Sequence, residues 1–453
     1  MAWAQRIRAT ASCGSRGDPM PHTCTMPWFV REVRGCVRLL ESRGLVFGLS
    51  RIAALTWHVW PQLAFALSRP VLEWSAGPLL SKRAPDLAVN TQLRWLLGRL
   101  AGLPRKRKGQ LAELALRQAL RRAEDRLNER RSRFVERSRS RLRWLVVATT
   151  DACNLRCTGC YAKPVWAHRH VAFARLEYLA SEAERMGAEA FVVTGWGEPF
   201  FDRRDKANLS RLVRAHPGLM FAVFTNGTLI TEEDLDAMKS LGNLILLLSL
   251  DGLEATNDAR RGKQVFRRVE QTARQLNRRG VIFGISTTVT SAKYKEVTSV
   301  EFTDAVREWG AFWVLYLRFS AYPIHGEGAW LALDNEQVLA YYRLLAAARE
   351  SQPMPLIDAD ESEALLGGCQ AQLGSLAFVD AVTGRVAPCV KLPFAPPSHN
   401  LFDDTSPGRL AELLQGEWSR NFWKEFPACW MCSSGCGSPR TPETPLNAIR
   451  RQP

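Results

Sequence analysis

The sequence has no hydrophobic run long enough to give a clear membrane-spanning helix. Its longest stretch free of Asp, Glu, Lys and Arg, Ile52 to Ser68, has 17 residues and contains His58 and Pro61. That length is at the lower limit for a helix that crosses a bilayer. The first 25 residues carry three arginines and no continuous apolar core, so a secretory signal peptide is not expected either. We therefore expect a chain that stays in the cytoplasm.

Histidine is also scarce, and the cysteines are not arranged as in a disulfide scaffold. The chain has 7 His residues, none of them at a spacing typical of metal ligands. Eight of the 11 Cys residues fall into two groups, whereas disulfide scaffolds are usually short secreted chains. The spacings within these groups favour metal binding through thiolates in a reducing compartment.

The composition is that of a globular protein with more than one domain. Hydrophobic residues make up 46% and charged residues 23% of the 453 positions, as in an ordinary folded protein. A chain of this length exceeds what one hydrophobic core usually serves. We expect a helical, basic and Trp-rich region at 1–143, a core domain at 144–335 and a cysteine-rich domain at 336–453.

Most of the net charge of +16 is concentrated in one stretch. Between Arg105 and Arg143 there are fifteen Lys or Arg residues against five Asp or Glu, a local excess of ten positive charges. Leucines recur on one face of a predicted helix there: Leu111, Leu114, Leu120 and Leu127. The plain interpretation is a solvated helix packed on the core. The sharper hypothesis is that this helix docks an anionic membrane surface, an acidic leader peptide or, least favoured, nucleic acid.

The segment from Leu45 to Trp74 is apolar and rich in tryptophan. A buried helix, an interfacial or partner-facing helix pair and a membrane-spanning helix all fit it, in that order of preference. In the interfacial case the protein would associate peripherally with a membrane.

Strand-like and helix-like runs alternate from residue 145 to residue 320. Apolar runs typical of buried strands lie at 145–149, 190–194, 219–225, 244–250, 281–289 and 312–319. Helical patterns lie at 172–187, 232–241, 264–279, 298–309 and 335–351. Six strands that alternate with helices predict an α/β fold with a parallel sheet.

Three cysteines lie on one short loop directly after the first strand-like run. Cys153, Cys157 and Cys160 have the spacing C-x3-C-x2-C. Three thiolates can hold three irons of a 4Fe-4S cube, which normally takes four protein cysteines. Because no fourth cysteine is nearby, one iron would be left open for a substrate or cofactor. The alternatives are a structural zinc site or plainly buried cysteines, although zinc has no need for the C-x3-C step.

Further motifs follow this loop in order: T-G-W-G-E-P at 194–199, T-N-G-T at 225–228, S-L-D-G at 249–252 and N-D-A-R-R-G at 257–262. With the cysteine loop they resemble the radical S-adenosylmethionine (SAM) superfamily, over residues 144 to 320 and more weakly over 369 to 436. The resemblance implies a partial (β/α)6 TIM barrel with an α-helical N-terminal region and a small cysteine-rich C-terminal domain. In such barrels chemistry collects at the carboxyl ends of the strands.

The resemblance also implies the chemistry of the cysteine loop. Cys153, Cys157 and Cys160 would ligate a 4Fe-4S cluster, and SAM would chelate its open iron through the methionyl amino and carboxylate groups. One electron from a reductant such as flavodoxin or ferredoxin would cleave SAM to methionine and a 5'-deoxyadenosyl radical, which abstracts a substrate hydrogen. The chain departs from the family at Gly159, where an aromatic residue is usual.

The G-E-P segment is expected to meet the methionyl ammonium, which needs hydrogen-bond acceptors. Gly197, Glu198 and Pro199 would supply backbone acceptors and a carboxylate. Trp196 stands where the family usually has glycine, so we expect the backbone path there to differ, because glycine reaches conformations that tryptophan does not.

The later motifs are expected to contact the rest of SAM. Asn226, Ser249 and Asp251 end successive strands, where they would hydrogen-bond the ribose or the carboxylate. Arg260 or Arg261 would pair with the methionyl carboxylate, because a guanidinium matches a carboxylate as a two-pronged donor.

Five cysteines near the C-terminus resemble the opening and a shortened closing segment of the SPASM and twitch auxiliary domains: Cys369, Cys389, Cys429, Cys432 and Cys436. Five thiolates satisfy one 4Fe-4S cube with one to spare. We expect a single auxiliary cluster held by the first two cysteines and two of the last three. A structural zinc site is the alternative.

Together these patterns predict a radical SAM enzyme. Family analogy favours peptide or protein maturation, although fold does not fix function. One alternative is radical modification of a lipid or other apolar small molecule at the membrane surface. The other is a non-catalytic iron-sulfur or zinc-binding interaction protein. No residue that acts on the substrate itself is predicted.

Overall fold

A single sheet carries all of the motifs from the cysteine loop onward. The computed structural model describes residues 92–118 except 93–94, 97 and 116, then 142–160, 162, 169–320, 329–365, 369–390 and 399–421 except 420. The strands are β1 (Trp144–Ala148), β2 (Ala190–Val193), β3 (Met220–Thr225), β4 (Leu244–Ser249), β5 (Phe283–Val289), β6 (Val314–Arg318), β7 (Leu356–Asp358), β8 (Leu376–Asp380) and β9 (Arg385–Ala387). Their order in the sheet is β7-β6-β5-β4-β3-β2-β1-β8-β9.

Helices connect most successive strands. They are α1 (Phe173–Arg185), α2 (Arg203–Ala215), α3 (Glu232–Met238), α4 (Glu254–Arg261), α5 (Val265–Arg278), α6 (Tyr294–Val297), α7 (Val300–Trp309), α8 (Asn335–Ser351), α9 (Ala359–Leu365) and α10 (Arg409–Gln415). From β1 to β7 every neighbouring pair is parallel, because each crossover through a helix returns the chain to the same edge. The predicted α/β fold of the partial TIM-barrel type is confirmed, with the six predicted strands within two residues of their expected bounds.

Alternate strand residues face two different apolar layers. In β1, Leu145 and Val147 join the large core between the sheet and the helices, whereas Val146 and Ala148 belong to a smaller cluster. Successive side chains of a strand point to opposite faces. Burial on both faces explains why the strands read as continuous apolar runs.

Three strands lie beyond the six that the sequence pattern predicts. β7 pairs with β6 and β8 pairs with β1, both parallel, and β9 returns antiparallel to β8. All five residues of β1 have a partner in β8. The sheet therefore continues past residue 335, where a domain boundary is predicted. A separate C-terminal domain stays a prediction.

The described part of the basic stretch packs at the amino edge of the sheet. Residues 105–115 are helical, and Leu103 packs against Ile282, which directly precedes β5. Arg107 is buried and donates from Nη2 to the Met238 carbonyl at 2.6 Å. For this part of the stretch the plain interpretation, a helix packed on the core, holds.

The rest of the basic stretch, residues 119–141, and the Trp-rich segment from Leu45 to Trp74 lie outside the described residues. Their predicted partners stay predictions. Among the residues that the structure describes, no helix combines the length and apolar content that crossing a membrane requires.

The C-terminal described segment is fastened to α1. The buried Glu182 carboxylate accepts from the Gly408 amide at 2.8 Å and from the Leu410 amide at 3.1 Å. Both amides are at the start of α10, where backbone N–H groups have no partner inside the helix. The Glu182 side chain of α1 thus anchors the start of α10 to the barrel.

Candidate active site

The cysteine loop follows β1 at the carboxyl edge of the sheet. Cys153, Cys157 and Cys160 are half-buried free thiols. The Cys160 amide donates to the Cys157 carbonyl at 3.2 Å, and the Leu155 amide donates to Cys153 Sγ at 3.5 Å. These bonds fold the loop into a tight turn on which all three thiols lie within eight residues.

The electrostatics of this loop fit a cation held by the three sulfurs. The pKa of the Cys153 thiol is raised to about 11, chiefly by burial and then by nearby negative charges, among them those of Cys157 and Cys160. Thiols whose ionisation is mutually unfavourable lose their protons together only when positive charge is placed among them. An iron-sulfur cube supplies that charge, so the donor set fits such a cluster.

The G-E-P segment crosses the start of this loop so closely that residue 197 has no room for a side chain. A Cβ on Gly197 would lie 2.4 Å from the Ala152 carbonyl oxygen and 2.8 Å from that of Thr150. The Glu198 amide donates to the same Ala152 carbonyl at 2.8 Å. Glycine at 197 is therefore required by close backbone approach next to Cys153.

The Glu198 carboxylate binds the turn after β3. It is buried and accepts from Thr225 Oγ1 at 2.6 Å, from the Asn226 amide at 2.7 Å and from the Phe200 amide at 3.0 Å. Burial raises its pKa, against these three hydrogen bonds, which lower it. The carboxylate therefore links the G-E-P segment to the T-N-G turn by hydrogen bonds. Pro199, the next residue in the chain, is also buried.

Asn226 ties the T-N-G turn to the cysteine loop. Its Nδ2 donates to Asn154 Oδ1 at 2.9 Å, and its Oδ1 accepts from the Thr228 amide at 2.9 Å. Asn154 Nδ2 in turn donates to Thr228 Oγ1 at 2.9 Å. Asn154 comes directly after Cys153, so this paired amide contact fixes the first cysteine relative to β3.

Asp251 is the centre of a buried cationic cluster at the ends of β4 and β5. Its Oδ2 accepts from Arg260 Nη1 and from Arg261 Nε, and Lys293 Nζ lies 3.9 Å away. Oδ1 accepts from the Thr288 amide at 2.8 Å. Burial alone would raise the pKa of Asp251, but the three cations hold it far below its ordinary value.

Three cations in this cluster share the carboxylate of Asp251, and the Glu296 carboxylate also attracts Lys293. Among the described residues, Lys293 Nζ and Arg260 Nε are buried without a hydrogen-bond acceptor, and burial lowers the pKa of Lys293 to about 8. The Arg260 carbonyl accepts from the Thr158 amide of the cysteine loop at 2.9 Å. Arg261 and Arg260 oppose the rise in the pKa of Cys157 that burial causes. An excess of cations beside the thiols suits an anionic ligand group.

Ser249 ends β4 next to this cluster, in register with Ser286 of β5. It is half-buried, whereas Ser286 is buried. The predicted SAM contacts at 197–199, 226, 249, 251 and 260 therefore all lie along the carboxyl edge, from β2 to β4, beside the cysteine loop.

Trp196 belongs to the smaller apolar cluster of the sheet, against which Cys160 also packs. Its ring is buried and packs edge to face on Phe378 of β8, with ring centroids 5.8 Å apart. The unusual backbone angle falls on Gly195, which has φ +131° and whose added Cβ would lie 2.6 Å from Ala148 Cβ. Tryptophan at 196 is tolerated because the neighbouring glycine adopts the conformation that tryptophan could not.

Cys369 and Cys389 lie at the opposite edge from the cysteine loop. Cys369 begins the turn that leads into β8, and the Ser375 carbonyl in this turn accepts from the Trp144 amide at the start of β1. Cys389 follows β9, which runs antiparallel to β8 and so ends near the beginning of β8. Cys429, Cys432 and Cys436 lie outside the described residues, so the auxiliary cluster stays a prediction.

Several residues of the site carry no motif signal in the sequence. Asn154 gains its role only from contacts across the sheet, and Lys293 follows β5 without a recognisable pattern. Asp151 is buried and accepts from the Arg169 amide at 2.6 Å and from Arg169 Nε at 2.7 Å. A buried acid directly before a cysteine loop is the one signal that could have pointed to an anchor there.

Known proteins resemble this chain over the same region. Residues 147–305 match the Radical SAM superfamily model. The chain is 28% identical to Fe-coproporphyrin III synthase of Methanosarcina barkeri over 154 residues, which cover 33% of this chain and 38% of the relative. It is 25% identical to the sporulation killing factor maturation protein SkfB of Bacillus subtilis over 281 residues, 58% of this chain and 65% of the relative. The chain thus spans less than two thirds of the length of either relative.

Among solved structures, Streptococcus suis SuiB bound to S-adenosylmethionine shares the fold. The TM-score is 0.53 at 16% identity, over 70% of this chain and 78% of that one. The match to the family model begins at β1 and contains the cysteine loop, Glu198, Asn226 and Asp251. Residues 147–305 thus match the radical SAM domain of that superfamily, and the likeness to SuiB shows the fold alone.

Proposed function

We propose that the chain is a radical SAM enzyme that uses a 4Fe-4S cluster on Cys153, Cys157 and Cys160 to activate SAM for hydrogen abstraction from a peptide substrate. The observation that supports this most directly is the meeting of the three thiols with a cation-rich cluster at one edge of the sheet. When bound, the cluster and SAM supply a 5'-deoxyadenosyl radical after transfer of one electron. This chain's own residues supply the binding, the orientation and the electrostatic environment of these groups.

The cationic cluster around Asp251 would receive the methionyl carboxylate of SAM. Asp251 fixes Arg260 and Arg261 from one side, which leaves their remaining N–H groups to face a ligand. Arg260 is our candidate for the direct contact because its Nε is buried without an acceptor among the described residues. Ser249 and the backbone at 197–199 would complete the contacts to the amino acid part of SAM.

Glu198 and Asn226 would act by holding the cysteine loop rather than by touching SAM with their side chains. The Glu198 carboxylate accepts three hydrogen bonds from the protein, and the Asn226 amide pairs with Asn154. Their loss would loosen the geometry of the first cysteine, on which placement of the ligand depends.

Peptide or protein maturation is the proposed substrate class. Its support is the similarity to SkfB, whose name describes maturation of a sporulation killing factor. A second candidate is a small molecule rather than a peptide, supported by the similarity to Fe-coproporphyrin III synthase. A lipid at an anionic membrane surface stays an alternative through the Trp-rich and basic segments. Peripheral membrane contact, a cytoplasmic location and a flavodoxin or ferredoxin as reductant are likewise proposals.

The decisive experiment is a SAM cleavage assay on protein reconstituted with iron and sulfide under anaerobic conditions. Reduced protein should convert SAM to 5'-deoxyadenosine and methionine, and a Cys153→Ala, Cys157→Ala, Cys160→Ala variant should not. The control is Cys369→Ser, which removes a cysteine from the other edge of the sheet and should retain cleavage. A reconstituted wild-type protein that holds iron yet forms no 5'-deoxyadenosine with any reductant would favour the non-catalytic alternative.

The auxiliary cluster is tested by counting iron and sulfide in the same preparations. One SAM cluster and one auxiliary cluster give about eight irons per chain. Cys369→Ser with Cys389→Ser should lower this to about four. A wild-type value of about four irons, unchanged in the double variant, would leave only the SAM cluster, and about one zinc per chain would identify the zinc alternative.

A further inference from the structure

The strands of the barrel differ between their outer and inner faces. In β2, β3, β6 and β7, buried residues alternate with half-buried ones. The buried set, which includes Phe221, Val223 and Val314, belongs to the core between the sheet and the helices. Successive side chains of a strand point to opposite faces, so the half-buried set faces the inside of the barrel. The inner face is therefore less completely covered than the outer one.

The inner face is also uncharged. Among the described strand residues from β2 to β7, the inner-facing positions hold no Asp, Glu, Lys, Arg or His. The polar ones are Ser249, Ser286 and Thr288, on β4 and β5. On β6 and β7 the inner positions are apolar, as at Leu315 and Ile357. One side of the barrel interior thus stays apolar up to the level at which the other side becomes polar.

Strand pairing places the apolar residues in two adjacent rows. Leu315 is paired with Ile357 of β7. One row closer to the amino edge, Leu247 is paired with Phe224 of β3 and with Gly284 of β5. Paired residues on neighbouring strands are about 4.8 Å apart, so their side chains border one common space.

Trp313 forms the floor of this space. A Cβ on Gly284 would lie 2.5 Å from Trp313 Cε2 and 2.9 Å from Trp313 Cδ1, so the indole ring lies directly on the Gly284 backbone. The same ring packs on an apolar cluster near the amino edge that contains Leu103, Ile282 and Phe312. A ligand that enters from the carboxyl edge, where the cysteine loop lies, therefore meets an aromatic floor.

The walls above this floor are not used up by the cores of the protein. Phe224, Leu315 and Ile357 are half-buried and belong to none of the three apolar clusters that the described residues form. Apolar surface that remains in contact with water is stabilised when an apolar group covers it. These three residues and Trp313 define what we call the barrel pocket.

We infer that the barrel pocket takes an uncharged, apolar side chain of the peptide substrate, of the size of leucine or phenylalanine. The inference rests on the proposed function, because it assumes that the substrate reacts at this edge of the sheet. A charged side chain would lose its water without gaining a counter-charge from the inner-facing strand residues, which is costly. An apolar side chain loses nothing of this kind and covers the exposed apolar walls.

The pocket is close to the proposed SAM contacts. Ser249 is paired with Ser286, and Ser286 is paired with Leu315. Two strand spacings of about 4.8 Å put Leu315 roughly 10 Å from Ser249. A substrate side chain in the pocket would therefore lie next to a ligand bound along β4.

Ligand-observed NMR titrations of the reconstituted full-length protein with SAM test the inference. The probes are the N-acetyl amides of leucine, phenylalanine, alanine, aspartate and lysine, which share one backbone and differ in their side chains. Each buried methylene is worth about fourfold in affinity, so the leucine probe should bind at least about tenfold more tightly than the alanine probe. The aspartate and lysine probes should bind no more tightly than the alanine probe.

Two variants of one wall residue assign this preference to the pocket. Leu315→Gln keeps the size of the side chain and adds a polar group, so it should remove most of the preference for leucine over alanine. Leu315→Ala enlarges the pocket without adding a polar group, so it should raise the affinity of the phenylalanine probe relative to the leucine probe. The matched control is Leu344→Gln on α8, whose leucine is 37% exposed, and it should leave all affinities unchanged.

Several results would overturn the inference. They are equal binding of the leucine and alanine probes to the wild type, tighter binding of a charged probe, and the same loss in Leu344→Gln as in Leu315→Gln. A further arm uses 3-methylbutanamide, which has the alkyl end of leucine without the peptide backbone. If it binds as tightly as the leucine probe, the occupant is a small apolar molecule and the peptide assignment is overturned.

Failure of the inference is distinguishable from failure of the proposed function, because SAM cleavage is measured in the same preparations. Wild-type protein that forms 5'-deoxyadenosine but does not prefer the leucine probe overturns the inference alone. Wild-type protein that prefers the leucine probe but forms no 5'-deoxyadenosine overturns the proposed function and leaves the apolar preference of the pocket standing.

Discussion

Replacement of Asp251 should lower the unfolding free energy of the barrel more than replacement of an exposed acidic residue does. Its side chain is fully buried and faces Arg260, Arg261 and Lys293, whose side chains are at most 12% exposed. Asp251→Asn keeps the shape and the acceptor for the Thr288 amide but removes the charge. Three buried cations then lose the carboxylate that they share. Removing one partner of a buried ion pair costs about 3–5 kcal/mol, and we expect a loss of unfolding free energy in that range.

Asp236 provides the matched control. It also faces two cations, Lys239 at 2.8 Å and Arg279 at 3.4 Å, but its side chain is 60% exposed. Solvent screens such pairs, so Asp236→Asn should cost no more than about 1 kcal/mol. The difference between the two variants isolates the effect of burial on the same chemical change.

The assay is equilibrium unfolding by urea, followed by circular dichroism, on the three proteins without iron. The folded pKa of Asp251 is depressed, so its contribution is present above the unfolded pKa of about 3.9 and is lost only as the pH falls through the folded value. Asp251 also raises the pKa of Lys293, which burial lowers to about 8, so its loss lowers that pKa further; the deficit of Asp251→Asn should therefore grow as the pH falls from neutral to mildly acidic values. A deficit below about 1 kcal/mol, equal to that of Asp236→Asn, would refute the account of this cluster.

Three further changes test other parts of the structure. Gly159→Ala should lower the iron retained on reconstitution, because a side chain at φ +69° costs about 1–2 kcal/mol and its Cβ would lie 2.4 Å from Leu331 Cδ1. Adding Leu331→Ala should restore part of the iron. No recovery in the double variant would contradict this close contact. His216 has a raised pKa because Glu184 and Glu177 outweigh its burial, so its stabilisation is present below about pH 6.5 and lost at higher pH. Thermal melts should therefore show a larger deficit for His216→Gln at mildly acidic than at alkaline pH, and a deficit that grows with pH would reverse this sign. Glu182→Ala should cost about 1–3 kcal/mol by leaving the buried Leu410 amide and the half-buried Gly408 amide at the start of α10 without this acceptor, and limited proteolysis should then release the C-terminal segment first.

Local patterns predicted the strands and the cysteine loop well for a physical reason. Strands buried on both faces need continuous apolar runs, and such runs end where polar residues begin. The polar residues that follow them, such as Glu198, Asn226 and Asp251, therefore mark the carboxyl edge without any knowledge of the tertiary fold. Parallel pairing then brings them together, because every strand from β1 to β7 ends at the same edge.

Contacts between distant segments were beyond such reasoning. The amide pair of Asn154 and Asn226 joins residues 72 apart in sequence, and Lys293 reaches Asp251 from the end of another strand. No local pattern marks Asn154 or Lys293 as the partner in these contacts. The sequence does not decide between Arg260 and Arg261 for a different reason. The two arginines are adjacent in sequence, and both donate to the same carboxylate oxygen of Asp251.

The surroundings of Trp196 depend both on the local sequence and on a contact with a distant segment. Local reasoning treats a tryptophan within the G-E-P segment as an obstacle, because the family has glycine at that position. The indole ring is accommodated because β8 lies beside β1, and Phe378 of β8 packs against the ring within a small apolar cluster. Gly195 supplies the unusual backbone angle, and Gly197 keeps its close approach to the cysteine loop. The tryptophan and the extra strand are therefore parts of one arrangement, in which residues 376–380 complete the packing behind the G-E-P segment.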